Sequence, residues 1–264
     1  MDAIREFYIS NSNIKNIGEW IDEEGGKVIY EVLRIIDGKP LFYKEHYERM
    51  KNSFKLSNEE FSIKEDQLKK DIDTLVKANN VEIGNIKITY NTLSKELRVF
   101  FIKHSYPTKD MYENGVPTIL YFGERENPNA KVINQGFRDA VNEEIKKNNA
   151  YEAILVDRNG FITEGSRSNI FLFKEGKLYT SKVEAVLPGV TRTEIIRMAK
   201  KNNIDVIEEN ISHNNIKDFD GLFISGTSPN ILPICKVDRI KFDVNNEFLR
   251  NLMRLFDEVV RGSL

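Results

Sequence analysis

The stretch Phe161-Ile162-Thr163-Glu164-Gly165-Ser166-Arg167-Ser168-Asn169-Ile170-Phe171 decides the fold of this chain. A short apolar run ends in an acid, a glycine and two serines follow, and a second apolar run leaves the turn. Apolar runs on both sides of a Gly-containing turn predict two strands. Glu164 then lies at the end of a strand, where it is either an ordinary turn acid or a carboxylate that faces a ligand.

Two further turns follow downstream. Leu187-Pro188-Gly189-Val190-Thr191-Arg192 leads into a helix, and the N–H groups of a helix N-terminus favour a bound anion. The alternative is a plain helix start with Thr191 as N-cap. Ser225-Gly226-Thr227-Ser228 closes an apolar strand and is a second possible anion nest.

Lys131 lies upstream in the apolar run Ala130-Lys131-Val132-Ile133. A lysine in such a context is often a surface residue whose stem covers apolar atoms. A partly buried lysine has a lowered pKa because desolvation disfavours the ammonium, which suits Schiff-base chemistry. Together the chain supplies an amine nucleophile, an isolated acid and two donor-rich turns, which is the inventory that a pyridoxal-phosphate enzyme needs.

Composition excludes several other classes. The 264 residues carry a formal net charge of −2, so no basic field indicates nucleic acid or an anionic membrane. The single cysteine, Cys235, excludes an internal disulfide and suits a reducing compartment. No apolar run reaches the roughly 18 residues of a membrane span, and the start lacks a signal-peptide core. We expect a soluble cytoplasmic protein, and His46 and His213 lack partners at metal-ligand spacing, so we expect no metal.

Periodicity predicts two domains. An α/β sandwich of antiparallel strands with two helices is expected over residues 1–122, and the polar segment 122–129 is the best linker candidate. Residues 123–264 are expected to form a larger domain of short strands with flanking helices, which carries Lys131. The predicted elements include a strand over 28–36, a hairpin turn at Asp37-Gly38, and helices over 43–55, 62–79, 138–149, from Thr191 onward, and 245–261.

These residues carry a resemblance. Glu164-Gly165-Ser166-x-Ser168-Asn169-Ile170-Phe171 and Leu187-Pro188-Gly189-x-Thr191-Arg192, with Tyr30-Glu31-Val32-Leu33-Arg34 and His46-x-x-Arg49 upstream, are similar to the class IV pyridoxal-phosphate enzymes. That group contains branched-chain aminotransferases, D-amino acid aminotransferases and aminodeoxychorismate lyases, and the resemblance covers nearly the whole chain. It implies the two-domain fold type IV, with a small N-terminal α/β sandwich and a larger, mostly β pseudo-barrel domain (α+β or α/β), and a homodimer.

The resemblance also implies roles for particular residues. Lys131 would form the Schiff base with the cofactor and shuttle the proton, and Glu164, 33 residues later, would face the pyridine nitrogen. Arg49 would bind the phosphate through its guanidinium fork. The remaining implied cofactor contacts are Val190, Thr191, Gly226 and Thr227, and the implied substrate contacts are Tyr30, Val32, Arg34, Lys103, His104, Thr227 and Ser228.

The sequence also departs from the family pattern. Asn134-Gln135 stands where many relatives have a tyrosine that contacts the cofactor, and the family's C-terminal glycine-and-threonine segment is missing. The first hypothesis is an aminotransferase that moves an amino group between a small amino acid, branched-chain-like or D-, and a 2-oxo acid by a ping-pong mechanism. The alternatives are an aminodeoxychorismate lyase that releases pyruvate and 4-aminobenzoate, and a non-catalytic binding protein on the same fold.

Overall fold

The computed structural model describes residues 2–22, 24–125, 128–131 and 135–264. The chain divides into two compact units. The first comprises residues 1–105, 130–133 and 262–264, and the second comprises residues 106–129 and 134–261. In the described residues, no helix combines the length and the apolar composition that crossing a membrane would require.

The first unit is a six-stranded sheet with two helices. Its elements are β1 (Phe7–Ser10), β2 (Asn13–Asn16), β3 (Val28–Ile36), β4 (Lys39–Pro40), α1 (Tyr43–Leu56), α2 (Glu65–Asn79), β5 (Gly84–Asn91) and β6 (Leu97–Ile102). The strand order is β2-β1-β6-β5-β3-β4, and every pairing is antiparallel. Asp37 and Gly38 join β3 to β4 with φ values of 50° and 72°, which is the left-handed pair that a type I′ hairpin requires.

Alternation along β3 separates its two faces. Ile29, Leu33 and Ile35 are fully buried and pack against Phe54 of α1 and Ile72 of α2 in one apolar core. Because side chains alternate across a strand, Tyr30, Val32 and Arg34 lie on the opposite face, as the sequence predicts. Glu31 is therefore a carboxylate on the core side of the sheet.

The second unit contains a ten-stranded mixed sheet. Its elements are α3 (Lys109–Asn114), β7 (Val116–Phe122), α4 (Gln135–Lys147), β8 (Glu152–Val156), β9 (Phe161–Gly165), β10 (Asn169–Lys174), β11 (Lys177–Thr180), α5 (Val190–Lys201), β12 (Val206–Glu208), β13 (Ile211–Ser212), β14 (Gly221–Gly226), β15 (Asn230–Val237), β16 (Ile240–Lys241) and α6 (Glu247–Gly262). The order is β12-β11-β10-β14-β15-β7-β8-β9-β13, and β16 pairs with β15. Ile154, Leu172 and Ile224 are among its core residues.

This division differs from the expected one at residue 122. β7 is parallel to both β8 and β15, so residues 116–122 lie inside the second sheet instead of closing an antiparallel sandwich. The segment around Lys131 belongs to the first unit, although we expected it in the second domain. The described residues of the predicted linker, 122–125 and 128–129, lie at the end of β7 and after it inside the second unit, so this polar segment does not separate the two units at the expected place.

Candidate active site

Lys131 is held by its backbone within the first unit. Its carbonyl oxygen accepts a hydrogen bond of 3.1 Å from the Tyr30 N–H, and its own N–H donates to Ser53 Oγ at 3.3 Å. The side chain is half-buried, and Nζ lies 4.7 Å from the centroid of the Tyr30 ring. These hydrogen bonds fix the main chain of Lys131, and its side chain places the amine over an aromatic face. The neighbouring position Asn134, where relatives have a tyrosine, lies outside the described residues, as does the side chain of Gln135.

Glu31, His46 and Arg49 form a buried cluster beside it, which we call the Glu31 cluster. Arg49 donates from Nε to Glu31 Oε1 at 2.9 Å and from Nη2 to Oε2 at 2.6 Å, and the His46 ring meets Oε2 at 3.0 Å. Burial raises the pKa of Glu31, but the Arg49 charge and the hydrogen bonds from His46 and Arg49 outweigh it and lower the pKa to about 2. Desolvation lowers the pKa of His46, so its ring is neutral and donates to the carboxylate.

The cluster changes what Arg49 can offer a ligand. We expected its guanidinium fork to bind a phosphate, but the Nε–Nη2 edge of the fork grips Glu31. Nη1 is the part of the guanidinium that Glu31 does not bind. Sequence reasoning missed Glu31, although a charge between the core positions Ile29 and Leu33 indicates a buried partner.

The predicted substrate residues of the first unit lie in two places. Tyr30, Val32 and Arg34 occupy one face of β3, and Lys87 of β5 holds its Nζ 5.8 Å from the Tyr30 ring centroid. Lys103 is exposed and His104 is half-buried, and both follow the end of β6 at Ile102.

Glu164 is the buried acid of the second unit. It lies near the end of β9, next to a register shift against β8, and is 3% exposed. Its Oε1 accepts from Arg125 Nη1 at 3.0 Å, and its Oε2 accepts from the Leu187 N–H at 3.0 Å. The arginine charge favours the ionised form of a carboxylate. From the sequence we assigned Arg125 only to the linker. Its pairing with Glu164 was not predicted, because the two residues are 39 positions apart in the chain.

Leu187 connects this acid to the N-terminus of α5. Its carbonyl oxygen accepts from Asn169 Nδ2 at 2.9 Å, and Gly189, two residues further on, is the N-cap of α5. The N-cap is therefore Gly189, and our alternative with Thr191 at that position was wrong. A Cβ at position 189 would overlap Asn169 Oδ1, so the loop passes this side chain at a distance that only glycine permits.

The N-terminus of α5 is buried and uncapped. Val190 and Thr191 are 4% and 5% exposed, and in the described chain no side chain caps the first turn of this helix. Helix N-termini leave backbone N–H groups unsatisfied, and a buried one without a cap calls for a ligand. The buried Ser225 Oγ also has no hydrogen-bond partner among the described residues.

The second predicted anion turn follows β14. Gly226 ends that strand opposite Asn230, and Thr227 and Ser228 are half-buried in the tight connection to β15. Ser225 pairs with Asn169 across the sheet, which brings the end of β14 to the strand that holds the Leu187 loop. Glu164, Asn169, the start of α5 and Ser225 are thus linked in one region of the second unit.

The same arrangement of strands occurs in solved enzymes. The structure of the branched-chain amino acid aminotransferase of Escherichia coli superposes with a TM-score of 0.88 at 22% identity, over 98% of this chain and 96% of that one. The branched-chain aminotransferase of the archaeon Thermoproteus uzoniensis, solved with norvaline, gives a TM-score of 0.85 at 19% identity, over 98% and 96% of the two chains. The fold is therefore fold type IV.

Sequence comparison identifies the family. The model of the class IV aminotransferases matches residues 28–237, and the chain belongs to this family. A D-alanine aminotransferase of Staphylococcus epidermidis is 29% identical over 256 residues, which cover 84% of this chain and 87% of that protein. Class IV aminotransferases use pyridoxal 5'-phosphate, and this chain is a pyridoxal-phosphate-dependent transaminase.

Proposed function

We propose that the chain transfers an amino group between a small amino acid and a 2-oxo acid by a ping-pong mechanism, with Lys131 as the catalytic amine and Glu164 as the partner of the cofactor ring nitrogen. One observation carries the assignment of Glu164. Its carboxylate accepts from Leu187, and that loop runs directly into the buried, uncapped N-terminus of α5. Pyridoxal phosphate bears a ring nitrogen and a phosphate on one rigid molecule, and this loop supplies an acid and an anion site together.

The described residues fit that cofactor. The N–H groups of Val190 and Thr191 and the unpartnered Ser225 Oγ can donate to phosphate oxygens, and Gly226 and Thr227 belong to the same turn as Ser225. Arg49 remains a proposed phosphate ligand, and Nη1 is the nitrogen available for this role because Glu31 binds Nε and Nη2. Bound pyridoxal phosphate supplies an electron sink for the bond that breaks at the substrate Cα.

Each catalytic residue then has a defined task. Lys131 would hold the cofactor through Nζ and, with its amine released, would carry the proton from the substrate Cα. Glu164, paired with Arg125, would face the ring nitrogen of the cofactor and keep a proton on it. The Tyr30 ring, 4.7 Å from Nζ, would limit the directions in which the Lys131 side chain can point.

We propose that the predicted substrate residues of β3, and those that follow β6 and β14, recognise the substrate. Tyr30, Val32 and Arg34 offer an aromatic, an aliphatic and a cationic side chain on one strand face, which suits a small amino acid with its carboxylate. Lys103, His104, Thr227 and Ser228 are further carboxylate binders in this proposal. The relative in Staphylococcus epidermidis is named a D-alanine aminotransferase. The relative in Methanocaldococcus jannaschii is named a putative branched-chain-amino-acid aminotransferase. It is 30% identical, and the match covers 84% of this chain and 86% of that protein.

A half-reaction panel tests the function. Holoenzyme is mixed with single L- and D-amino acids without an oxo acid, and the visible absorbance of the lysine-bound cofactor is followed. A transaminase loses this absorbance with its own amino acids and regains it with a 2-oxo acid. Release of pyruvate from aminodeoxychorismate without an acceptor would instead indicate the lyase.

Lys131→Ala is the matched control. We expect this variant to keep its fold and lose the lysine-bound absorbance, because no amine remains to attack the cofactor carbonyl. Unchanged spectra with every amino acid would refute the transaminase, and an absorbance that survives in Lys131→Ala would refute the role of Lys131. A homodimer and a cytoplasmic location complete the proposal, and size-exclusion chromatography with light scattering tests the first of these.

A further inference from the structure

A second buried acid of the large unit has no role in the proposed chemistry. Glu152 is the first residue of β8 and is 2% exposed. Its Oε1 accepts from the Ala153 N–H at 3.0 Å and from Ser166 Oγ at 2.5 Å, and its Oε2 accepts from Ser168 Oγ at 3.1 Å. Three donors therefore converge on one buried carboxylate.

Both serines belong to the turn between β9 and β10. The Gly165 N–H donates to the Ser168 carbonyl at 2.8 Å, and the Ser166 N–H donates to the Ala153 carbonyl at 2.9 Å. A Cβ on Gly165 would overlap Ser168 Oγ, so the turn is tight. Glu152 therefore binds this turn through the side chains of Ser166 and Ser168, and the Ala153 carbonyl of β8 binds it through the Ser166 N–H.

The turn begins at Ser166, two residues after Glu164, with Gly165 between them. β8 pairs with β9 at Ile154–Gly165 and Val156–Ile162, and the register shifts between these two pairs. An irregularity of this kind redirects a side chain that regular pairing would point elsewhere. Because Gly165 follows Glu164 directly, the point at which the turn is fixed sets where the Glu164 carboxylate lies relative to Arg125 and Leu187.

We propose that Glu152 is a positioning residue for the proposed catalytic acid: by binding Ser166 and Ser168 it fixes the turn that holds Glu164 against the ring nitrogen of the cofactor. The proposal rests on the role of Glu164 in the proposed function. Glu152 itself touches neither cofactor nor substrate. Its effect is therefore expected in the cofactor's affinity and in the pH dependence of its spectrum.

Glu152→Asp tests this proposal. Aspartate keeps the charge but is one methylene shorter, so its carboxylate cannot reach both serines. We expect cofactor affinity to fall about tenfold, as for one weakened hydrogen bond to a charged group, and the pH midpoint of the bound cofactor's visible absorbance to shift. Glu152→Gln keeps the length, and the serine hydroxyls can rotate to meet the amide, so its values are expected between those of Glu152→Asp and the wild type.

Thr180→Val is the matched control. Thr180 is 1% exposed and donates from Oγ1 to the Ile170 carbonyl at 2.8 Å, so valine removes a buried hydrogen bond of the same sheet that involves neither Glu152 nor a residue of the turn. We expect it to lower the free energy of unfolding of the apoprotein and to leave the spectrum and the cofactor affinity unchanged. If Glu152→Asp does not fold, Ser166→Ala removes one arm of the same grip and is expected to shift the same two measurements.

Glu164→Gln separates the two proposals. If Glu164→Gln shifts the spectrum and Glu152→Asp lowers only the stability of the apoprotein, Glu152 is a structural acid and the inference is wrong while the proposed function stands. If Glu164→Gln leaves both affinity and spectrum as in the wild type, the role of Glu164 fails and the inference fails with it. Parallel shifts in Glu164→Gln and Glu152→Asp, absent from Thr180→Val, support the inference.

Discussion

Replacing Glu31 by glutamine would leave a guanidinium buried without its counter-charge. Side chains of Glu31 and Arg49 are 1% and 8% exposed, so solvent cannot replace the lost partner. Breaking a buried pair on one side costs about 3–5 kcal/mol. The pKa of Glu31 falls from 4.5 to about 2 in the folded protein, which corresponds to about 3 kcal/mol at 1.36 kcal/mol per pKa unit. We therefore expect Glu31→Gln to lower the free energy of unfolding by about 3 kcal/mol, the lower end of that range.

The pH dependence gives this prediction its sign. Because the pKa of Glu31 is lower in the folded than in the unfolded chain, its contribution is fully present above pH 4.5 and is lost as the pH falls toward 2. The difference between the wild type and Glu31→Gln should therefore shrink as the pH falls below 4.5. At neutral pH the Glu31→Gln substitution should lower the melting temperature of the apoprotein by about 6–12 °C.

Urea unfolding of the apoprotein across this pH range is the assay, since without cofactor the result does not depend on ligand binding. Glu48→Gln is the control, because Glu48 is 56% exposed and lies 4.0 Å from Lys51 in a surface pair. Such pairs contribute about 0–1 kcal/mol. A Glu31→Gln cost no larger than that of Glu48→Gln, or a cost that persists undiminished near pH 2, would refute the reasoning.

Three further expectations concern single side chains. Ser225→Ala should leave the unfolding free energy of the apoprotein within about 0.5 kcal/mol, because its hydroxyl has no partner in the described chain, and should weaken cofactor binding about fivefold in a fluorescence titration. Gly189→Ala should lower stability by about 1–3 kcal/mol, because the new methyl overlaps Asn169, and thermal melts of the apoprotein check this. Burial lowers the pKa of His46 below 6.5, so wild-type stability should fall as the pH drops from 6.5 to 4.5, and unfolding of His46→Gln should show a flatter dependence there.

Local patterns predicted much of the fold. The helix expected over 43–55 is α1 (Tyr43–Leu56), and the one over 62–79 is α2 (Glu65–Asn79), because each carries its own amphipathic repeat. The hairpin at Asp37-Gly38 was predicted because a type I′ turn needs two successive left-handed residues, and Asp-Gly is one of the few pairs that adopt this conformation readily. Neither α3 (Lys109–Asn114) nor β7 was predicted, and the parallel partners of β7 lie far along the chain, where periodicity carries no information.

The site shows the same limit. The sequence motif placed Glu164 at the end of a strand, where the structure has it, and the start of α5 was recognised one residue from its true first residue, Val190. The contacts of Arg125 and Glu152 were not predicted, because the partner of each lies on another strand or turn, 39 and 14 residues away in the chain. Glu31 was quoted between Tyr30 and Val32 as part of a motif, and only the alternation of β3 shows that it faces the core and engages Arg49.

The central position of β7 also bears on the order in which the chain can fold. One neighbour of this strand, β8, follows after a single helix, whereas the other, β15, begins at Asn230, more than a hundred residues later. During synthesis the edge of β7 that pairs with β15 therefore stays unpaired until most of the polypeptide has left the ribosome. Pairing across such a distance slows folding and leaves an open strand edge in the nascent chain.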